Sequence, residues 1–310
     1  MALNTIQTAT IFQRELDKAA VEGATSGWME LNDKLVKYNG GAEVKIPKLS
    51  TDGLANYDRE TGFVDGSVDL VWETMKMTQD RGRRFTLDEN DVDESNFVAT
   101  AASVMGDFQK KQVIPEIDAY RYSKIATGAI GKNRVSYNYT ASEADILKKL
   151  YYDIATVQDV VGDDTPLVIT MSRMVAAVLD QCADISKKMD ITDFKQGDVT
   201  LKIKSLDGQY PIIRVGSGRM KTAYIFNDGK TSEQTKGGFK AAPTAKSINW
   251  IICPRTAPIA VSKTDKMRIF TPDTYQAKRA YAMDYRKFHD LWIPDNQWDS
   301  MFVNIKENNA

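Results

Sequence analysis

Apolar residues repeat along this chain with two different periods, and the changes of period mark its parts. Two strand-like runs come early: Ala42 to Lys48 (AEVKIPK) and Ser67 to Thr78 (SVDLVWETMKMT). The residues between them, Leu49 to Gly66, are polar and carry Gly53, Gly62 and Gly66, so the pair predicts an extended hairpin with a long polar tip. In the second run Val68, Leu70 and Trp72 share one face, followed by Thr74, Lys76 and Thr78, while Val71, Met75 and Met77 share the other. Neither face is consistently apolar. Such a ribbon is not stable alone in water. Upstream, a short amphipathic piece around Ile11, Phe12, Leu16 and Ala19 precedes Gly23, Gly27 and the Asn39-Gly40-Gly41 break, and reads as an arm.

Helical spacing then takes over. Ser95 is a predicted N-cap for a helix with Phe97, Val98, Ala101, Ala102, Met105 and Phe108 three and four residues apart. Pro115 cannot donate to the Lys111 carbonyl, which predicts a kink there before the helix resumes through Ile117 and Tyr120 to Gly128. Thr140 and Glu143 fit a capping box ahead of Ile146, Leu147, Leu150, Tyr151, Ile154 and Val161, with Gly162 as C-cap. Leu167 to Thr170 reads as a short buried strand. A third helix then presents Val175, Val178, Leu179, Cys182 and Ile185.

From Thr200 strand patterns dominate. Leu201 and Ile203 alternate with Lys202 and Lys204, Asp207-Gly208 makes a turn, and Tyr210 to Val215 returns as a hairpin partner. Asn227 to Lys246 is a polar loop, and Ile248 to Cys253 is an apolar strand bounded by Pro254. A last hairpin is predicted to turn at Pro294-Asp295-Asn296 into a strand with Met301, Val303 and Ile305 on one side.

Composition narrows the function. With 310 residues and 42% apolar content the chain can fill a sizeable core. Its 41 basic and 42 acidic residues present no overall basic field for nucleic-acid phosphates. The longest aliphatic run, Val175 to Leu179, is far short of the ~20 residues that span a bilayer. The first residues lack a signal peptide's apolar core, so synthesis is expected in the cytosol. Cys182 and Cys253 are the only cysteines and read as small buried apolar groups.

Candidate chemistry is sparse. A Ser-His-Asp or Cys-His site would have to pass through His289, the only histidine, and in a strand its neighbour Asp290 points to the opposite face. A structural role is the better reading, and no catalytic, metal or cofactor site is expected. Gly216-Ser217-Gly218-Arg219 is half of a phosphate loop and reads as a turn. The acidic run Asp88 to Glu94 lacks calcium-loop spacing and reads as a solvated linker. Arg81, Arg83 and Arg84 stand beside it without an aromatic stacking platform. An ion-pair network within or between subunits suits them better than a nucleic-acid backbone.

Four pieces taken in order carry a resemblance: the D-R-G-R-R-F turn into a strand (Asp80 to Phe85), the acidic linker, the helix broken near I-P-E-I-D-A-Y-R (Ile114 to Arg121), and Y-R-K-F-H-D-L-W-I-P-D-N-Q (Tyr285 to Gln297). Together they resemble the major capsid proteins of tailed bacteriophages, across nearly the whole chain. The resemblance implies an α+β Hong Kong 97-like capsid fold with an N-terminal arm (1–41), an extended β-hairpin E-loop (42–80) and a peripheral domain with a long spine helix (81–139). An axial domain (140–274) and C-terminal strands returning to the peripheral domain (275–310) complete it. The implied function is a non-enzymatic subunit that self-assembles as pentamers and hexamers into an icosahedral shell. That shell encloses double-stranded DNA without sequence-specific binding and uses no cofactor and no membrane. Its location would be the virion, after synthesis in a bacterial host's cytoplasm, and the family admits scaffold, portal and decoration proteins as partners. Candidate intersubunit contacts are Trp72, Lys76, Arg81, Arg83 and Arg84. Some relatives join subunits by a lysine–asparagine isopeptide bond, and Lys48 and Lys76 lie on the hairpin, but side-chain identity alone does not support that chemistry. The alternatives are an encapsulin-like compartment of the same fold, a soluble α/β enzyme and a nucleic-acid-binding protein.

Overall fold

A computed structural model of the chain describes residues 23–38, 42–88, 100–196 and 199–309. The expected amphipathic piece at Ile11 to Ala19, the Asn39-Gly40-Gly41 break, the helix start at Ser95 to Val98 and the acidic run beyond Asp88 lie outside these residues. A 3₁₀ segment, Gly27–Leu35, leads into β1 (Lys37–Tyr38), β2 (Glu43–Thr51) and β3 (Val68–Lys76), which form an antiparallel sheet in that order. The predicted hairpin is β2–β3, in register from Glu43 opposite Lys76 to Thr51 opposite Val68. Its base is dry, with Val44, Ile46 and Met77 packed on Ile259, Val261 and Trp292. Further out Val68, Leu70 and Val71 are exposed, as the two-faced polarity of the run predicts.

After β4 (Gln79–Asp88) come α1 (Thr100–Phe108), a π-helical turn (Gln109–Val113) and α2 (Ile114–Gly131). The break lies earlier than Pro115. The Ile114 N–H bonds the Gln109 carbonyl, five residues back, and Pro115 sits in the first turn of α2, where its missing donor costs nothing. The helix runs on past Gly128 to Gly131.

β5 (Val135–Ser136) precedes α3 (Ile146–Val161). The expected Thr140/Glu143 capping box is not formed: α3 starts at Ile146, and the Asp145 carboxylate accepts from Ser142 Oγ (2.6 Å) and Tyr139 OH (2.9 Å). The chain before it is committed elsewhere, since the Asn138 and Tyr139 N–H groups bond the Glu307 and Ile305 carbonyls. Gly162 does end α3, at φ 79°. β6 (Leu167–Ser172), α4 (Arg173–Gln181), β7 (Met189–Gln196), β8 (Val199–Leu206) and β9 (Tyr210–Val215) follow. The β8–β9 turn has Asp207 and Gly208 at φ 53° and 71°, the pair of positive values that a type I′ turn requires.

Beyond the short pair β10 (Tyr224–Phe226) and β11 (Phe239–Ala241) lie β12 (Ile248–Pro254), β13 (Ile259–Phe270), β14 (Ala280–Trp292) and β15 (Phe302–Ile305). A seven-stranded mixed sheet has the order β5-β15-β12-β6-β9-β8-β7, and a three-stranded antiparallel sheet the order β13-β14-β4. The predicted C-terminal hairpin is therefore absent. A 3₁₀ segment, Asp295–Ser300, carries the chain from β14 to β15, which pairs with β12 and β5. β14 already has β13 and β4 on its two edges, and all four residues of β15 are buried, which an interior strand position satisfies.

The seven-stranded sheet is covered on both faces. On one, Tyr122, Ile125, Ala126 and Ala129 of α2 pack on Val168, Ile251, Cys253 and Val303. On the other, Leu150, Ile154 and Val157 of α3 and Val175 and Leu179 of α4 pack on Ile169, Met171, Trp250 and Ile252. Successive residues of β6 and β12 thus serve opposite layers. Cys182 and Cys253 are both buried free thiols. Among the described residues no helix is long and apolar enough to cross a membrane.

The contact of α2 with the 3₁₀ segment Asp295–Ser300 gives a prediction. A Cβ at Gly128 would lie 1.9 Å from the Trp298 ring. Gly128→Ala should lower stability by about 1–3 kcal/mol through overpacking, despite alanine's better helix propensity. Thermal unfolding checks this, and adding Trp298→Leu should recover part of the loss.

Candidate assembly surface

α2 carries a stripe of polar side chains that tie four separate segments to it. Asp118, fully buried, accepts hydrogen bonds from Thr25 N (3.2 Å), Thr25 Oγ1 (2.7 Å), Ser26 N (3.0 Å), Ser26 Oγ (2.6 Å) and Arg219 Nη1 (3.0 Å). Three residues on, buried Arg121 donates to the Ser26 carbonyl (3.1 Å) and to Glu30 Oε1 (2.5 Å). Burial raises the Glu30 carboxyl, but Arg121 and Lys287 outweigh it and bring the group down to about 2. Gly216-Ser217-Gly218-Arg219 is a 3₁₀ turn whose arginine closes on Asp118, consistent with its reading as a turn.

The next turn of α2 holds the root of the hairpin. Buried Asp290 of β14 accepts from Tyr120 OH (2.7 Å), Thr78 N (2.9 Å) and Thr78 Oγ1 (3.0 Å), and pairs with Lys124. Thr78 is the hinge residue between β3 and β4, so this carboxylate fixes where the ribbon leaves the body. His289, beside it, pairs in register with Gln79 and Ser262 and meets the Tyr120 ring edge-on at 5.7 Å. Burial, then the charges of Arg121, Lys287, Lys124 and Arg81, push its imidazole well below the usual 6.5, so it is neutral in the folded chain. It lies within β14, three residues before that strand ends.

The ribbon itself leaves apolar groups uncovered. Leu54 and Phe63 are 107% and 87% exposed, and Leu49, Tyr57, Val64, Val68, Leu70 and Val71 are all more than half exposed. The tip is nonetheless locally ordered. Asp52 accepts from Ser67 N (2.7 Å), Asp58 accepts from Glu60 N (2.6 Å), and the Tyr57 and Phe63 rings lie 4.8 Å apart. The polar reading of this segment passed over those apolar residues, for which L-A-N-Y and F-V were the visible signal.

Of the five predicted contact residues, Trp72 is half-buried and Lys76 exposed, both on β3. The three arginines lie together on β4, and each is engaged within the chain. Arg81 grips Glu116 of α2 with two N–H groups and reaches the Asn227 carbonyl (3.0 Å). Arg83 donates to the Thr235 carbonyl (3.2 Å), and Arg84 forms a two-point pair with its cross-strand partner Asp284 (2.5 and 2.6 Å). Gly82 between them admits β14: a Cβ there would lie 2.7 Å from the Tyr285 carbonyl oxygen. Asp118, Arg121 and Asp290 had no sequence signal, because isolated charges in an amphipathic helix or strand read as solvated.

No protein-family profile and no curated protein matches the chain by sequence. By structure it is similar to the mature capsid of bacteriophage PhiM1, with a TM-score of 0.56 and 12% identity over 88% of this chain and 84% of that one. It is similar to the capsid of cyanophage P-SCSP1u, with a TM-score of 0.57 and 12% identity over 88% and 86%. A virus-like particle from Pyrococcus furiosus gives a TM-score of 0.50 and 10% identity over 94% and 98%. At these identities the likeness shows a common fold, the Hong Kong 97-type fold.

Asp118→Ala would leave Arg219 and the Thr25 and Ser26 donors without their shared acceptor. It should cost about 3–5 kcal/mol, as for other broken buried pairs. The loss should be read in thermal unfolding, with earlier proteolytic cleavage around residues 25–30. A pH effect has a definite sign. The folded pKa of His289 is depressed, so below 6.5 the unfolded chain binds a proton that the folded chain refuses. Its stabilising contribution is full above 6.5 and is lost as pH falls. His289→Gln should therefore flatten the fall in melting temperature between about pH 7 and about 5.5. Glu30 acts lower, losing its contribution from 4.5 down to about 2.

Proposed function

We propose that this chain is the major capsid protein of a tailed phage, a structural subunit that self-assembles into the icosahedral head shell around double-stranded DNA. The observation that carries this reading is the ribbon of the Hong Kong 97-type fold itself. The β2–β3 ribbon, rooted by Asp290 and Thr78, projects with apolar side chains uncovered on both faces. Covering one such side chain is worth about 1.5–3 kcal/mol, and among the described residues none covers them. A neighbouring subunit supplies the missing surface. Many moderate contacts of this kind hold a shell together while leaving each one reversible.

On this reading residues 1–41 form the arm and 42–80 the E-loop. The peripheral part, 81–139, contains α2 as its spine, with C-terminal strands from 275–310 returning to it, and the seven-stranded sheet forms the heart of the axial part, 140–274. The β13–β14 hairpin straddles the last boundary, and β15 belongs to the axial sheet. Trp72, Lys76, Arg81, Arg83 and Arg84 are the proposed contacts to neighbours. The subunit works without an active site, in pentamers and hexamers, and its place is the virion. Scaffold, portal and decoration proteins are the partners such a shell would recruit. The likeness to the Pyrococcus furiosus particle, which extends over 98% of that chain, supports a protein compartment as the second reading.

Deletion of Thr51 to Asp65 with a short turn in its place tests the proposal. The expected result is a subunit with unchanged circular dichroism and melting that no longer forms shells in sedimentation. Normal particles from the deletion would sink the role given to the ribbon. For the second reading, particles isolated from the native source would hold protein cargo in place of DNA.

A further inference from the structure

A cleft of about 630 Å³, within the range of small-molecule sites, opens between β4, the π-helical turn with the start of α2, and the loop 227–238. One wall is aromatic. Phe108 meets Phe85 edge-on at 4.9 Å and Tyr285 at 6.0 Å, and Val113 and Ile117 extend the surface. Of these rings only Phe85 neighbours the β4 arginines in sequence; folding brings the other two to them from α1 and β14. The opposite side is cationic, with Arg83, Lys230 and Lys236 in the lining. None of the three forms an ion pair with a described residue. The carboxylates of the lining are already engaged: Arg286 holds Asp80 at two points (2.8 and 2.5 Å), Arg81 holds Glu116, and Asp228 accepts from Lys230 N (2.8 Å) and Thr231 N (2.9 Å). Two polar atoms of the lining have no hydrogen-bond partner among the described residues. His289 is 4% exposed and its Nδ1 is unmatched, while Asn227 donates Nδ2 to the Gly237 carbonyl (2.9 Å), which fixes the amide and leaves its buried Oδ1 without a donor.

We infer that this cleft binds a nucleoside monophosphate. Each part of the lining selects one part of such a ligand. Three uncommitted cations suit a doubly charged phosphate better than a single carboxylate, and the guanidinium fork of Arg83 matches phosphate oxygens. A flat base covers the aromatic wall, which has a face to offer whatever the base. Amino or hydroxyl groups of base and sugar supply the donor that Asn227 Oδ1 lacks. Neutral His289 takes a partner of either kind, according to its tautomer. Inorganic phosphate would use the cations and leave the wall bare. Duplex nucleic acid would do the same, because its bases are stacked inside the helix, and with 41 basic against 42 acidic residues the chain has no extended field to hold a run of phosphates. One phosphate needs only the local cluster. The inference does not depend on the shell reading, since the cleft is complete within one chain.

Equilibrium dialysis of the full-length chain against adenosine 5′-monophosphate provides the test. Saturable binding of one ligand per subunit is expected, with ribose 5-phosphate, which lacks the base, and adenosine, which lacks the phosphate, each at least about tenfold weaker. Lys230 and Lys236 are both exposed, so the double variant Lys230→Glu, Lys236→Glu should keep the wild-type circular dichroism and melting while its affinity falls by about tenfold or more. Photolabelling with 8-azidoadenosine 5′-monophosphate, mapped by peptide mass spectrometry, should place the label within residues 80–85, 108–117 or 227–238. A single-stranded oligonucleotide with a 5′-phosphate that competes as well as the free nucleotide supports the same chemistry and identifies a strand end as its source. Duplex DNA competing equally well overturns the inference. So does equal affinity for inorganic phosphate, which would mean a charged patch only, and so does a label mapped elsewhere or an affinity unchanged in the double variant. Sedimentation of the same samples reports assembly separately, so failure of the nucleotide site and failure of the shell reading are distinguishable.

Discussion

The buried carboxylates that meet α2 set the geometry on which everything else depends. Asp118 gathers the backbone of residues 25–26 and Arg219 onto the helix, and Asp290 gathers Thr78, Tyr120 and Lys124 one turn later. Each is fully out of water and surrounded by donors, the condition under which an ionised group is tolerable in an interior. Apolar packing alone would let the helix slide or rotate on the sheet, because such contacts are non-directional. Hydrogen bonds of fixed length do not allow that. The consequence reaches the surface: the hinge at Thr78 is held within 3 Å of a carboxylate, so the ribbon departs at a set angle.

A projecting ribbon with bare Leu54, Phe63 and Val68 is a poor feature for a protein that works alone, since exposed apolar strands invite uncontrolled pairing. It becomes an asset when the root is rigid and the receiving surface is specific. Lys48 and Glu73 bridge the ribbon at 3.4 Å, and the tip is closed by its own Asp58 turn, so little ordering is left to be done on contact.

The second polar knot shows the same logic inside the seven-stranded sheet. Asp153 of α3 accepts from Lys149 (2.8 Å), Trp250 Nε1 (3.0 Å) and Asn304 Nδ2 (3.0 Å), and burial raises its carboxyl above the usual range. Asn304 in turn accepts from Asn249 (2.7 Å). These groups lock α3 to β12 and β15 in one register, which explains how a four-residue strand from the far end of the chain finds an interior position.

The amino-acid sequence by itself determined the local elements whose cause is local. The β2–β3 ribbon, the Asp207-Gly208 turn, the buried strand at Leu167, the end of α3 at Gly162 and the helix through Pro115 all follow from residue spacing and from backbone freedom at single positions. It also carried the fold, through the order of those elements. Tertiary structure alone decided the rest. The β13–β14 hairpin has no counterpart among the predicted elements, because the middle of β13, Ser262 to Lys266, is wholly polar and shows its purpose only once β14 pairs with it and β4 lies against β14. The partner of β15 was misread, since burial on both faces selects an interior position that no neighbour in sequence can offer. Asp118, Arg121 and Asp290 looked like solvated charges. A charge is tolerated inside a protein only when its hydrogen-bond partners converge, and theirs come from segments 93, 95 and 212 residues away. Convergence over such distances is a property of the folded chain, and no window of sequence contains it.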